Sequence, residues 1–313
     1  MSDDVELLRR YDLRRQLGKG GYATVYEAVE RATGARVAVK AMAGSEAWER
    51  ALDEADVLRE LHARTPSGSE RPHGARHIVG LSGVVGSALV LEYVDTGGER
   101  WRSVYPRFSH DEARRYMRRL VKAVAHSHAL GIIHRDIKPD NVLYDARTGA
   151  VRLADWGLAV RHARGARHPL HGTTHHYMAP EMLLGVRRYD ERVDTWGVGC
   201  VLARVLYATG SMLRGRNDAD QLRRIARLVG WPALRAYAER AHAEDAERAA
   251  ATHDPALRRY RRPLGWERFV DAANAHRCTA DALDLLSQLL QCDPRDRLTA
   301  RQALRHPYLA GSG

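Results

Sequence analysis

The segment that most restricts the fold is residues 134–141, which reads His-Arg-Asp-Ile-Lys-Pro-Asp-Asn and follows a predicted amphipathic helix. It contains an acid, a lysine and an amide within six residues. The carboxylate of Asp136 could orient a hydroxyl group and accept its proton. Lys138 could neutralise charge on a transferring phosphoryl group, and Asn141 offers an amide oxygen, a hard ligand suited to Mg²⁺. The segment therefore indicates a loop for phosphoryl transfer.

Asp155 supplies a second acidic group. It follows a short predicted hairpin that begins just after Asn141. It opens the tripeptide Asp155-Trp156-Gly157. A carboxylate and an amide oxygen are both ligands that Mg²⁺ accepts. Asn141 and Asp155 are therefore predicted to hold the same metal ion.

A glycine-rich segment between two predicted strands provides a candidate phosphate-binding loop. Glycines let the backbone approach phosphate oxygens and present amide N–H groups to them. A dinucleotide-binding loop is excluded, because a strand follows where a helix should begin. A plain hairpin that contains glycines is the alternative. The candidate residues are Leu17, Gly18, Lys19, Gly20, Gly21, Tyr22, Ala23, Thr24 and Val25.

Lys40 ends the next predicted strand and is one of few lysines in the chain. Of the 50 basic residues, 46 are arginine and four are lysine. A lysine retained in such a chain is a candidate for a site that needs a compact ammonium group. Lys40 could hold two phosphates of a nucleotide as a point charge, and Glu54 on the following predicted helix is the candidate carboxylate that fixes it.

Hydrophobic periodicity predicts a small β-rich N-terminal part and a larger helical C-terminal part. The boundary is placed at residues 95–98, where two glycines break the pattern. The helix before residues 134–141, which we call the catalytic loop, is predicted to begin with a capping box of Ser109 and Glu112 and to end at Gly131. Strands are predicted over 23–29, 36–41, 78–85 and 87–94, and a surface loop over 64–76. Other helices are predicted over 46–63, 192–209, 218–229, 232–250, 280–291 and 299–305.

Together these segments resemble the signature of the protein kinase family. Ala179-Pro180-Glu181, residues 194–199 and Arg297 also match, and the resemblance spans about residues 11–309. It implies an α+β, two-lobed kinase fold. The expected single kinase domain has a β-rich N-lobe over 1–94 and a larger, mainly helical C-lobe over 95–313. In the family, the aspartate at 194 braces the catalytic loop, and the arginine at 297 pairs with the glutamate at 181.

Within this family, the chain is more closely similar to the catalytic α subunit of casein kinase II. Trp156 replaces the usual phenylalanine, as it does in that subunit. Two alternatives stay open: a kinase of the cyclin-dependent or mitogen-activated type, because residues 174–181 read like their loop, and a pseudokinase that acts as a scaffold. Other similar segments are 217–222, 266–270, 297–301 and 306–308.

The resemblance implies a Ser/Thr protein kinase that uses Mg²⁺ and ATP, with GTP as an alternative nucleotide. Lys40 paired with Glu54 would align the nucleotide. Asp136 would accept the proton of a Ser or Thr hydroxyl, and Lys138 would steady the γ-phosphate. Backbone groups of Glu92 and Val94 would bind the adenine, whose ring would lie among Val25, Ala38, Leu91, Leu143 and Ala154.

Several positions depart from casein kinase II. The loop before Ala179 carries His171, His175 and Met178 where the family has basic residues, which predicts a reduced or pH-dependent preference for acidic substrates. Its hydroxyl residues are Thr173, Thr174 and Tyr177, and we expect activity that does not depend on phosphorylation. The short segment 84–88 argues against docking of a regulatory β subunit.

The net charge of +11 raises the alternative of nucleic-acid binding. The arginine pairs are scattered along the chain without a nucleic-acid-binding motif, so solvated helix faces are the favoured interpretation. The three cysteines are far apart, which argues against a disulfide framework. We expect an intracellular protein, cytoplasmic or nuclear, with no membrane partner and protein substrates. Loop histidines (His162, His168, His171, His175 and His176) are expected to be exposed to solvent rather than to bind a metal.

Overall fold

A five-stranded antiparallel sheet forms the N-terminal part, and its first three strands along the chain are adjacent in the sheet. The structure is a computed structural model that describes residues 3–44, 46–63, 74–170, 172, 174–208, 213–244 and 255–310. The strands are β1 (Tyr11–Lys19), β2 (Ala23–Glu30), β3 (Arg36–Met42), β4 (Leu81–Val85) and β5 (Ala88–Glu92). The predicted strands 23–29 and 36–41 are confirmed, and the predicted strand 87–94 is two residues shorter at its end.

Two helices accompany the sheet: α1 (Asp3–Arg10) and α2 (Ala47–His62). The buried face of α2 follows helical spacing through Ala51, Ala55 and Leu58. Glu54 lies on this same face, so the helix points a carboxylate towards the sheet. The prediction of a helix over 46–63 is confirmed, whereas residues 64–73 of the predicted loop lie outside the described residues.

The C-terminal part is mainly helical and is built around α4 (His110–Ala129) and α6 (Arg192–Tyr207). The predicted capping box of α4 is present, because the Ser109 side chain accepts from the Glu112 amide and Glu112 reaches back to Ser109. Almost every residue of α6 is buried. The other helices are α3 (Trp101–Val104), α5 (Pro180–Leu183), α7 (Asp218–Val229), α8 (Trp231–Glu244), α9 (Ala280–Leu289), α10 (Ala300–Ala303) and α11 (Pro307–Ala310).

Two short pairs of strands flank residues 134–141 and Asp155, the segments that carry the candidate catalytic residues. β6 (Ile132–Ile133) pairs with β9 (Val160–Arg161), and β7 (Val142–Tyr144) pairs with β8 (Val151–Leu153). Residues 134–141 therefore lie between β6 and β7, and Asp155 follows directly after β8. A β-rich N-terminal part and a helical C-terminal part agree with the predicted α+β, two-lobed fold. No helix in the described ranges is both long and apolar enough to cross a membrane.

Candidate active site

Lys40 lies between two carboxylates, one from each part of the fold. Its Nζ is 2.6 Å from Glu54 Oε2 and 2.6 Å from Asp155 Oδ1. Burial lowers the pKa of Lys40, but the two carboxylates outweigh this effect and hold that pKa above its usual value. The lysine is therefore a fixed positive charge, as the sequence predicted for Lys40 and Glu54.

The backbone at Asp155 adopts a left-handed conformation, which is unusual for a residue other than glycine. Asp155 has φ +64°, in the left-handed region that non-glycine residues rarely enter. The amide of Trp156 donates to Glu54 Oε1 at 3.3 Å. A Cβ on Gly157 would lie 3.0 Å from Glu54 Oε2, so a side chain here would displace the carboxylate that holds Lys40. The side chain of Asp155 remains 48% exposed and keeps a second oxygen available to a ligand.

The catalytic-loop candidates form one hydrogen-bonded group around Asp136. Lys138 Nζ donates to Asp136 Oδ2 at 2.6 Å, and Asn141 Nδ2 donates to the same oxygen at 3.1 Å. Thr174 closes the group: its amide donates to Asp136 Oδ1 at 3.0 Å, and its hydroxyl accepts from Lys138 at 2.6 Å. The sequence predicted the first three residues. It did not assign this structural role to Thr174, because only the folded chain brings residue 174 beside residue 136.

The catalytic loop is anchored to the buried helix α6 through Asp194. This carboxylate accepts the backbone amides of His134 and Arg135, each at 2.8 Å, and His128 Nε2 at 2.9 Å. Burial alone would raise the pKa of Asp194, but these hydrogen bonds, first among them that of His128, hold it below its usual value. The bracing that the resemblance implied is thus seen directly.

His134 connects the catalytic loop to the segment that carries Asp155. Its Nδ1 accepts the Asp136 amide at 3.2 Å, so its Nε2 is the donor to the Ala154 carbonyl at 3.0 Å. The imidazole also packs edge-on against the buried ring of Trp156, with centroids 4.5 Å apart. The backbone of Ala154 in turn donates to the Asn141 carbonyl at 2.9 Å. Asn141 and the residue before Asp155 are therefore direct neighbours.

Arg135 holds the following segment through main-chain carbonyls. Its Nη1 donates to Leu158 O at 3.1 Å, and its Nη2 donates to Pro169 O at 2.7 Å. Arg135 also has a positive φ of 70°. This bridge was not predicted, since carbonyl partners leave no pattern in the sequence.

A buried ion pair joins the end of this segment to the C-terminal helices. Arg297 Nη1 lies 2.8 Å from Glu181 Oε1, and Nη2 lies 2.9 Å from Glu181 Oε2. Both side chains are essentially inaccessible, at 0% and 1% exposure. Burial lowers the pKa of Arg297, but Glu181 outweighs this effect and raises it. The expected pairing of the two residues is present.

The glycine-rich segment forms the turn between β1 and β2. Leu17, Gly18 and Lys19 end β1, and Ala23, Thr24 and Val25 begin β2, which leaves Gly20, Gly21 and Tyr22 at the tip. The Gly20 amide donates to the Ala23 carbonyl at 2.8 Å. The Arg50 guanidinium from α2 lies 4.1 Å from the centroid of the Tyr22 ring, so the tip is held towards α2.

The residues predicted to surround adenine lie at the junction of the two parts. Ala38 is the cross-strand partner of Leu91, and Val25 is the partner of Lys40. Leu143 lies in β7, and Ala154 follows β8. These strand pairings bring Val25, Ala38 and Leu91 onto adjacent strands of one sheet.

Glu92 and Val94 lie where β5 leaves the sheet. The Glu92 side chain accepts Arg152 Nε at 2.9 Å, and its amide donates to the Gly80 carbonyl at 2.8 Å. The Val94 amide has no hydrogen-bond acceptor within the described part of the chain. A hydrogen-bond acceptor on a nucleotide base is the kind of group that could accept a hydrogen bond from this amide.

The loop histidines are less exposed than expected. His168 is buried, at 4% exposure, and its Nε2 lies 2.9 Å from His162 Nδ1, which corrects the prediction for this residue. His175 Nδ1 pairs with Asp218 Oδ1 at 3.2 Å. His171 and Thr173 lie outside the described residues. Within the described ranges, no cluster of three or more His, Cys, Asp or Glu side chains could hold a metal ion.

A comparison with protein-family models matches residues 11–309 to the protein kinase domain. The match covers almost the whole chain and includes the glycine-rich turn, Lys40, the catalytic loop and the Glu181–Arg297 ion pair. It also agrees with the sheet and helical parts of the fold. The chain therefore belongs to the protein kinase family.

Proposed function

We propose that the protein is an active Ser/Thr protein kinase that uses ATP and Mg²⁺. The observation that carries this proposal is the group around Asp136. Its carboxylate accepts three hydrogen bonds, from Lys138, Asn141 and the Thr174 amide, and is thereby held in a single orientation. A carboxylate fixed in this way can orient a substrate hydroxyl and take its proton.

Lys40 and the glycine-rich turn would bind the phosphates of the nucleotide. The ammonium group is already fixed by Glu54, so it offers a positioned point charge. Gly18, Gly20 and Gly21 would let backbone amides approach the phosphate oxygens. The Glu92 carbonyl and the Val94 amide would bind the adenine edge, between apolar side chains that include Ala38, Leu91 and Leu143.

Asn141 and Asp155 fit a magnesium site by the chemistry of their donor atoms. Asn141 uses its Nδ2 on Asp136, which leaves the amide oxygen as the free group. Asp155 uses Oδ1 on Lys40 and has Oδ2 to offer. When bound, the ion would supply positive charge for the phosphate oxygens. The two residues would hold it with oxygen ligands of the kind that Mg²⁺ prefers.

The preference for Ser or Thr rests on Lys138 and Thr174. The lysine bridges Asp136 and Thr174 at 2.6 Å to each, so it crosses the place where a substrate hydroxyl would enter. In the family, a lysine two residues after the catalytic aspartate is typical of Ser/Thr kinases. The finer assignment to the casein kinase II type rests on the similar segments of sequence and on Trp156, whose Nε1 donates to the Leu153 carbonyl at 3.2 Å.

Substrate selection is proposed to differ from that of casein kinase II. His175 Nδ1 pairs with Asp218 Oδ1, and Met178 carries no charge. His176 has a pKa lowered by burial and then by nearby cations, including Arg214. We therefore propose a reduced preference for acidic sequences.

Phosphate transfer to a degenerate Ser/Thr peptide library tests the proposed activity. We expect transfer from ATP and Mg²⁺ by the wild type and none by Asp155→Ala, because this change removes a proposed metal ligand. Enrichment for Asp or Glu after the acceptor should be weak. Strong enrichment would place the protein functionally with casein kinase II, and equal signals from wild type and variant would contradict kinase activity.

We also propose that activity does not require a phosphate on the segment before Glu181. Arg135, the cation that could receive such a phosphate, already binds the Leu158 and Pro169 carbonyls. Phosphatase treatment is therefore expected to leave the transfer rate unchanged. Intact mass spectrometry before and after treatment shows whether a phosphate was removed, and a rate that falls together with the mass would overturn the proposal.

A further inference from the structure

An open cavity of about 260 Å³ lies between α4 and the turn that joins β7 to β8. Helix α4 contributes Arg115 and Arg119 to its wall, and the turn contributes Arg147 and Thr148. We call this space the α4 cavity. It is smaller than the roughly 300–1,000 Å³ of pockets that enclose a whole small molecule, so it suits a single functional group of a larger ligand.

The α4 cavity lies on the other side of β7 from the proposed adenine pocket. Successive residues of a strand point to opposite faces. Leu143 is the residue proposed to face adenine, and the next residue, Tyr144, lines the cavity. Its ring packs against Tyr116 of α4, with centroids 5.7 Å apart. The cavity is thus separate from the proposed nucleotide site.

Positive charge dominates the wall of the α4 cavity. Arg115 and Arg147 are exposed, and within the described residues neither guanidinium group makes a hydrogen bond or a close ion pair, although Arg115 interacts electrostatically with Glu112 and Arg147 with Asp145. Arg119 donates to the Gly149 carbonyl. The acidic groups nearby are already engaged: Glu112 caps α4 through Ser109, and Asp145 accepts the Arg147 and Thr148 amides. Two of the three guanidinium groups are therefore free to bind an anion.

The positive field continues along the same face of α4. Arg118 and Lys122 are one turn apart, as are Arg115 and Arg119, and like charges at this spacing destabilise a helix. Burial and then Arg118 and its basic neighbours lower the pKa of Lys122. The sequence favours a solvated face for the arginine pairs of this helix, but one member of each pair, Arg115 and Arg119, lines a concave site. A bound anion would relieve their repulsion.

We propose that the α4 cavity binds a phosphoryl group, carried either by a phosphorylated protein or by free phosphate. Guanidinium groups match the geometry of phosphate oxygens and can bind them in bidentate fashion. A phosphoryl group carries about −1.5 to −2 charges at neutral pH, which suits three arginines accompanied by one glutamate. A carboxylate, with a single charge, would leave the site more positive than a phosphoryl group does.

The test is the binding of a fluorescent peptide with one phosphoserine and no other hydroxyl residue, so that it cannot serve as a substrate. Binding is measured with a saturating non-hydrolysable ATP analogue and Mg²⁺, which block the proposed catalytic cleft. We expect Arg115→Gln/Arg147→Gln to weaken binding about tenfold or more. The matched control is Arg227→Gln/Arg258→Gln, which removes two exposed arginines elsewhere and should bind like the wild type.

The outcomes are distinct. The unphosphorylated peptide should not bind, and competition by inorganic phosphate at similar affinity would identify free phosphate as the ligand rather than a phosphoprotein. Equal binding by both double variants, no binding by the wild type, or binding only without the ATP analogue would overturn the proposal. Because no phosphate transfer is measured, these results are independent of the proposed kinase activity.

Discussion

Asp136→Asn is expected to lower the rate of phosphate transfer about 10²–10⁴-fold, the usual contribution of a general acid or base. The variant keeps the size of the side chain, and its oxygen can still accept the Thr174 amide. It loses the carboxylate that would take the hydroxyl proton. Since Lys40, Glu54 and the glycine-rich turn are unchanged, the KM for ATP should stay close to that of the wild type. Steady-state kinetics with a Ser peptide measure both quantities.

Asp140→Asn is the matched control, because Asp140 is an exposed acid in the same loop. It should retain nearly the full rate. A similar loss in both variants would point to a general effect on the loop. A full rate in Asp136→Asn would remove Asp136 from the proposed mechanism.

Glu181→Ala is expected to lower the free energy of unfolding by about 3–5 kcal/mol, the effect of removing one partner of a buried ion pair. Arg297 would keep its charge in a site with no accessible surface. Its carbonyl partners, Gln291, Arg192 and Cys292, can accept hydrogen bonds but cannot neutralise it. Urea unfolding followed by circular dichroism measures the loss.

Glu239→Ala provides the comparison for this stability change. Glu239 pairs with Arg235 at 2.6 Å on an exposed face of α8, and pairs of this kind contribute about 0–1 kcal/mol. If the two variants unfolded at the same urea concentration, the buried pair would have no special importance for stability.

Local chemistry made much of the fold and site predictable from the sequence. The capping box at Ser109 and Glu112 is recognisable from two residues three positions apart, and α4 begins where it predicts. Lys40 and Glu54 were predictable as a pair, because a scarce lysine ends one strand and a carboxylate lies on the buried face of the next helix. Their distance confirms that contact.

Other features depend on contacts that no short pattern encodes. The positive φ of Asp155 and of Arg135 is imposed by surrounding hydrogen bonds and not by glycine. Thr174 reaches Asp136 across 38 residues of chain. The α4 cavity needs a helix and a distant turn to meet, so its arginines had the appearance of an ordinary solvated surface in the sequence.

The anchoring of the catalytic loop by Asp194 has a consequence for motion. The amides of His134 and Arg135 are tied to α6, which lies in the most deeply packed region of the helical part. Segments that open at low free energy are those with few buried contacts. We therefore expect the loop to open only at the high free energy of the core, although it lies between the two parts of the fold. Surface segments can fluctuate while the geometry around Asp136 persists until the core itself unfolds.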